Sequence, residues 1–95
     1  MDNILVREKG FGLSVGEEFD IYKFAEEALK DQNSHLKIIQ HVANKMNTNH
    51  HGKWTVFIIE SLTTPWEAEF YPVEDKKINF TLKSYNFLVY KSNHE

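Results

Sequence analysis

The spacing of apolar residues changes once along this chain, from a helical period to a strand period. Apolar side chains between Ile21 and Leu29 recur at i, i+3, i+4, i+7 and i+8, and a similar stripe lies between Ile38 and Met46. From Trp54 onward the alternation has a period of two, and nine of the thirteen aromatic residues lie in that part. Each period matches one kind of amphipathic element. The chain is therefore predicted to form two helices followed by a sheet.

Polar residues predict where the two helices begin and end. Ser14 and Glu17 have the S-x-x-E spacing of a capping box at the start of the first helix. The acidic residues of that first turn match the positive end of the helix dipole, and we expect them to form a solvated face. Asn33-Ser34 is predicted to cap the second helix, which should end in the polar segment 47–52.

Five strands are predicted from short apolar or alternating runs bounded by turn residues. They are Ile4–Val6, Trp54–Ile59, Trp66–Tyr71, Ile78–Leu82 and Phe87–Tyr90. The predicted order is β-α-α-β-β-β-β in a single α+β domain spanning residues 1–95. Two helices cover one face of such a sheet and leave the other open. Trp54–Ile59 is apolar on both faces, which predicts a central strand covered on each side. Because Phe57 and Ile59 lie on that strand, we expect a second copy of the chain to cover the open face.

Composition excludes several classes of protein. The chain has 95 residues, no cysteine and a formal net charge of −3 at pH 7. A disulfide scaffold, a thiol nucleophile and a cysteine-ligated zinc site are therefore excluded, and the acidic balance disfavours nucleic acid and anionic membranes as partners. No apolar run reaches the ~20 residues of a membrane span, and the first residues do not open a signal peptide. A cytoplasmic location is expected.

No pattern in the sequence points to catalysis, a cofactor or a metal. Adjacent histidines such as His50 and His51 point in different directions from a helix end, and we expect His41 to be a hydrogen-bonded residue of the fold. The hydroxyls of Ser61, Thr63 and Thr64 and the carboxylates of Glu60, Glu67 and Glu69 form no recognisable nucleophile–base arrangement. The expectation is a non-catalytic protein without a cofactor or a metal site.

The predicted element order and several short segments resemble the small cytoplasmic dynein light chain family. The segments are Ala28-Leu29, Ile39–Val42, Lys53-Trp54, Ile78–Leu82 and Phe87–Ser92. The resemblance implies a homodimer in which the third strand, here Trp66–Tyr71, crosses to the partner's sheet. It also implies that grooves beside this strand bind extended peptides of other proteins by strand addition. The dynein intermediate chain is one candidate partner, and a cytoskeleton-associated role in microtubule-based processes is expected.

The resemblance assigns two sets of residues by position. The implied peptide groove contains Leu36, Trp66, Glu67, Ala68, Glu69, Phe70 and Asn79. The implied dimer interface contains Thr55, Phe57, Ile59, Trp66 and Phe70.

Several of these positions depart from the family pattern. Leu36 stands where the family has a groove lysine, Thr55 where it has a histidine that makes its dimers sensitive to pH, and Lys77 and Asn79 where it has aromatic groove residues. The predicted crossing strand lies between Pro65 and Pro72, which cannot donate to a strand ladder. The dimer scaffold is expected to be kept, with altered peptide preference.

A second interpretation comes from another class of protein. A divergent light chain of this kind forms the second domain of the calcium-binding tegumental proteins of parasitic flatworms, where it follows a pair of EF-hands. This chain contains no D-x-[DN]-x-[DN]-G loop, so on this interpretation it would be the dimerising C-terminal domain, without a calcium site of its own. A purely structural dimer with a closed groove is a third interpretation.

Overall fold

The computed structural model describes residues 4–59 and 72–93. Their order is β1 (Ile4–Lys9), α1 (Val15–Asp31), α2 (His35–Asn49), β2 (Lys53–Ile59), a 3-10 turn (Val73–Asp75), β3 (Lys77–Leu82) and β4 (Tyr85–Asn93). The predicted strand Trp66–Tyr71 lies outside the described residues. The α+β class is confirmed, with two helices and a four-stranded antiparallel sheet.

The helices begin where the capping residues predicted. The Ser14 side chain accepts a hydrogen bond from the Glu17 backbone N–H at 3.0 Å, and Glu17 Oε1 accepts one from the Ser14 N–H at 2.9 Å. The Ser34 hydroxyl accepts the Lys37 N–H at 3.2 Å at the start of α2. Each cap satisfies backbone donors that the first turn of a helix leaves without a partner.

The four strands lie in the order β1-β3-β4-β2, so β1 and β2 form the two outer edges of the described sheet. The prediction of a central strand over Trp54–Ile59 is therefore wrong for this sheet. All neighbouring strands pair antiparallel. Since β2 and β3 each run antiparallel to β4, which lies between them, they are parallel to each other. The end of β2 and the start of β3 therefore lie at opposite ends of the sheet.

One apolar core joins the helices to the sheet. It contains Leu13, Ile21, Phe24, Ala25, Ala28, Ile38, Val42, Met46, Trp54, Val56, Ile78, Phe80, Leu82, Phe87 and Val89. The alternation of β3 shows how the sheet contributes, because Ile78, Phe80 and Leu82 are all fully buried. Residues between them point to the opposite face, which we call the outer face because the helices do not cover it.

All four described strands are longer than predicted, β2 and β3 by one residue each and β1 and β4 by several. β1 extends to Lys9 because Glu8 and Lys9 pair with β3, and β4 runs from Tyr85 to Asn93. These added residues are largely polar and lack the apolar alternation that the prediction required. Lys83 and Ser84 form the two-residue hairpin turn between β3 and β4, and both have left-handed φ angles of 50° and 63°. Such angles suit this kind of turn although neither residue is glycine or asparagine.

Candidate functional site at the sheet edge

β2 forms one of the two outer edges of the described sheet. Among residues 4–59 and 72–93, β2 pairs only with β4. Its segment Trp54–Ile59 contains no charged residue and pairs with β4 in continuous register. An edge strand with unpaired backbone groups and no charge is a template for adding another strand.

The opposite edge carries features that discourage strand addition. β1 contains Arg7, Glu8 and Lys9 in succession, and its register with β3 shifts between Val6 and Glu8. Charged side chains and bulges on an edge are devices by which proteins block edge-to-edge pairing. The two edges of this sheet are therefore not equivalent, and β2 is the one suited to strand addition.

The predicted interface residues of β2 share the outer face. Thr55, Phe57 and Ile59 pair across the sheet with Tyr90, Leu88 and Asn86, whereas Trp54 and Val56 point into the core. Phe57 remains 42% exposed and stacks on Tyr90, with ring centroids 6.3 Å apart. The Thr55 hydroxyl donates to the Ser92 hydroxyl at 3.0 Å. An exposed aromatic thus lies directly beside the pairing edge.

A cleft of about 330 Å³ lies where the start of α2 meets the last residues of β2. Its lining residues are His35, Ile58, Ile59, Ser84, Tyr85 and Asn86. The His35 and Tyr85 rings meet edge to face, 5.6 Å apart. Ile58 and Ile59 point to opposite faces of the sheet, so the cleft extends across the end of the β2 edge.

The predicted groove residues are placed apart. Leu36 is 64% exposed at the start of α2, next to the cleft residue His35. Asn79 lies on the outer face of β3 opposite Leu88, and neither Leu36 nor Asn79 lines the cleft. The remaining groove and interface residues, Trp66 to Phe70, lie outside the described residues. The described part of the chain therefore does not bring the predicted groove residues into one surface.

Sequence reasoning missed a polar attachment between the β1–α1 loop and the segment Pro72–Lys76, which we call the strap. The Phe11 N–H donates to Asp75 Oδ2 at 2.7 Å, and the Gly12 N–H donates to the Asp75 carbonyl at 3.3 Å. Glu74 and Asp75 both have a φ of 55°, in the left-handed region. Two consecutive left-handed non-glycine residues are strained, so these contacts hold the strap in place. In the sequence, only the polar run 74–77 indicates a turn in this segment.

The acidic first turn of α1 is not the solvated face that was expected. Glu17 is buried, and its carboxylate accepts a hydrogen bond from Lys76 Nζ at 2.8 Å. Burial acts to raise the pKa of Glu17, but hydrogen bonds from Lys76 and Ser14 outweigh it and hold the pKa below its ordinary value. Lys76 also donates to the Gly12 carbonyl at 3.0 Å. The strap thus ties the start of β3 to the start of α1.

Neutralising Glu17 should remove part of the stability that depends on pH. Because the folded pKa of Glu17 is lowered, its contribution is present above the unfolded pKa, near 4.5, and is lost as the pH falls through the folded pKa. We expect Glu17→Gln to cost about 1 kcal/mol at pH 7 and to cost progressively less below pH ~4.5. Urea unfolding of both proteins across pH 3–7 measures this. Asp31→Asn, at the exposed end of α1, is the control; equal pH profiles for Glu17→Gln and wild type would contradict the assignment.

Two histidines at α2 and its C-terminal end contact acidic residues of α1. His41 lies 3.2 Å from Glu27, confirming the prediction that it is a hydrogen-bonded residue of the fold, and His50 lies 2.7 Å from Asp20. Both contacts join α2 to α1. Within the described ranges there is no group of three or more residues placed to hold a metal ion.

No protein-family model and no curated protein matches this chain. In the described part of the chain, no helix is both long and apolar enough to cross a membrane.

Proposed function

We propose that this chain is a non-catalytic, homodimeric interaction module of the dynein light chain type, which binds extended peptides by strand addition. The observation that carries the proposal is the contrast between the two sheet edges. Trp54–Ile59 forms an uncharged edge that includes the exposed Phe57. β1 instead carries three charged residues and a bulge, which disfavour strand addition. In strand addition the main chain provides affinity and side-chain pockets provide specificity.

The topology supports an exchange of strands between two copies. The twelve residues 60–71 connect the end of β2 to the strap, and β2 and β3 are parallel with β4 between them. An extended segment of this length spans roughly 40 Å, about twice the length of the six-residue strand Trp66–Tyr71 that the sequence predicts to cross. In the proposed dimer it lies along the partner's β2 edge, which covers the β2 edges of both copies. Peptides then add beside this exchanged segment and not at β2 itself.

The proposed ligands are extended segments of other proteins, with the dynein intermediate chain as one candidate, and the proposed setting is the cytoplasm and the cytoskeleton. The cleft beside His35 extends across the end of β2, where side chains of an added strand can enter. Exposed Leu36 adjoins it and favours an apolar side chain in the ligand. Two grooves in one dimer would bind a dimeric partner with avidity.

Sedimentation velocity at pH 7.5 tests the dimer. We expect a mass of 22.4 kDa, twice the 11.2 kDa of one chain. Hydrogen–deuterium exchange on the same sample should show the amides of Lys53–Ile59 protected, and dilution to the monomer should release part of that protection. A species of 11.2 kDa at all concentrations would contradict the dimer. Protection that does not change on dilution would contradict pairing at the β2 edge.

A further inference from the structure

Three apolar side chains at the start of α1 are exposed to solvent. Phe11, in the loop between β1 and α1, is fully exposed, and Val15 and Phe19 on α1 are 84% and 56% exposed. Val15 and Phe19 are four residues apart and share one face of the helix, whereas Ile21 and Phe24 are buried. We call Phe11, Val15 and Phe19 the tip patch. None of the three belongs to the core, so packing of the fold does not explain their apolar character.

The backbone that carries Phe11 is held in place by β3 and the strap. The Gly10 N–H donates to the Lys77 carbonyl at 2.9 Å. The N–H groups of Phe11 and Gly12 both donate to Asp75, at 2.7 Å to its carboxylate and at 3.3 Å to its carbonyl. An exposed aromatic on a backbone that is already fixed loses little conformational freedom on binding. Phe11 is therefore suited to anchor a contact.

The same hydrogen bonds determine which surroundings the loop can enter. A backbone group that leaves water without a hydrogen-bond partner costs free energy, and lipid hydrocarbon offers no partner at all. The N–H groups of residues 10–12 have acceptors within the chain, and the Leu13 N–H donates to the Gly10 carbonyl at 3.5 Å. Lys76 Nζ donates to the Gly12 carbonyl at 3.0 Å. These groups keep their partners when the tip leaves water.

The charges at this end of the molecule are balanced. Three glutamates of α1 and the strap each contact a lysine, in the pairs Glu17–Lys76 at 2.8 Å, Glu18–Lys9 at 3.1 Å and Glu74–Lys91 at 3.4 Å. Lys23, one turn after Phe19, is exposed, and its long stem lets the ammonium reach a phosphate. A zwitterionic headgroup layer presents both signs of charge and complements this surface. An anionic layer is disfavoured by the formal net charge of −3.

The size of the tip patch argues against a second copy of the chain as its occupant. The exposed fractions of the three side chains correspond to roughly 400 Å² of apolar surface. A stable protein interface takes about 800 Å² from each partner. An exposed apolar patch of this size nevertheless commonly marks an interaction site. A fluid lipid surface requires no complementary shape, and binding to it scales with the apolar area that inserts.

We propose that the tip patch is a contact site for a neutral phospholipid bilayer, into whose interface Phe11 inserts together with Val15 and Phe19. The proposal goes beyond the peptide-binding dimer and does not depend on it, because the tip patch includes no residue of β2 or of the cleft beside His35. The contact is reversible, since three side chains supply far less apolar surface than a membrane-spanning helix. It holds the module at a membrane surface.

Flotation with phosphatidylcholine vesicles tests the proposal. The wild-type chain should float with the vesicles, and adding phosphatidylserine should not increase the bound fraction because the formal net charge is −3. Phe11→Ser should lower the partition coefficient by about tenfold or more, since burial of one phenylalanine side chain accounts for that factor. Its urea midpoint should equal that of wild type, because Phe11 is fully exposed.

Two further variants separate insertion of Phe11 from a general loss of apolar surface. Leu5→Ser is the matched control, since Leu5 is 53% exposed on β1, and its partition coefficient should stay within about twofold of wild type. Tryptophan favours the membrane interface, so Phe11→Trp should bind vesicles at least as tightly as wild type.

Several results would overturn the proposal. They are a wild-type chain that does not float with phosphatidylcholine, equal losses for Phe11→Ser and Leu5→Ser, and binding that appears only when phosphatidylserine is present. Sedimentation without vesicles tests the other occupant. If Phe11→Ser weakens self-association there, a second copy covers the tip patch and the assignment to lipid is wrong.

Discussion

Phe57→Lys is expected to weaken self-association by about a hundredfold. Phe57 is the exposed aromatic beside the β2 edge, and a dimer that uses this edge would bury it. Truncating or charging a buried aromatic anchor commonly costs 2 kcal/mol or more of binding free energy, and about 2.7 kcal/mol corresponds to a hundredfold change. Each dimer would also bury two lysine charges. The stacking of Phe57 on Tyr90 is lost as well, so the monomer should lose about 1 kcal/mol.

Leu5→Lys on the other edge is the matched control. Leu5 is 53% exposed and belongs to β1, whose edge already carries three charged residues. One more charge there should leave the dissociation constant unchanged within about twofold. Sedimentation of the two variants and wild type over one dilution series gives the comparison. Equal effects of the two substitutions would show that association does not distinguish the edges.

Gly12→Ala is expected to cost about 2–4 kcal/mol of unfolding free energy. A Cβ atom at Gly12 would overlap the Glu74 carbonyl oxygen and lie 2.8 Å from the carbonyl carbon. Both groups belong to the backbone, so the β1–α1 loop and the strap would have to separate. The contacts of Asp75 with this loop and the Lys76 hydrogen bond to the Gly12 carbonyl would weaken together.

Gly16→Ala provides a control of opposite sign. Gly16 lies in the first turn of α1, and a Cβ there would meet no atom within 4 Å. Alanine at an exposed helical position should stabilise the chain by about 0.5–1 kcal/mol relative to glycine. Urea unfolding of the two variants, at protein concentrations too low for self-association, measures both changes in unfolding free energy. A Gly12→Ala protein as stable as wild type would show that the strap does not depend on this close approach.

The helices could be predicted because their signals are local. The capping box of Ser14 and Glu17 joins residues three apart, and the apolar stripe from Ile21 to Leu29 repeats within two turns. Strand existence was predicted on the same basis, from alternation. The predicted ends of the strands were less accurate, because polar residues that pair across the sheet extend β1 and β4. Pairing partners far away in sequence determine such ends.

The description of the candidate site depended both on local sequence patterns and on the tertiary structure. Phe57 and Leu36, which the sequence analysis assigned to the dimer interface and the peptide groove, are both exposed, and these roles stay predictions. Only the tertiary structure showed that Asn79 lies apart from the cleft beside His35 and that its Oδ1 atom is buried. The strap was missed because Asp75 and Phe11 are 64 residues apart, and neither residue type predicts a partner at that separation.

By itself the sequence determined the α+β class, the two helices with their caps and the outward alternation of β2. Each of these depends on side-chain periodicity or on hydrogen bonds within one turn. Tertiary structure alone decided that β2 and the charged strand β1 are the edges of the described sheet and that Glu17 is buried against Lys76. It also decided that no donor among the described residues reaches Asn79 Oδ1. These features arise from contacts between distant segments, whose free energies depend on how the whole core and sheet pack together.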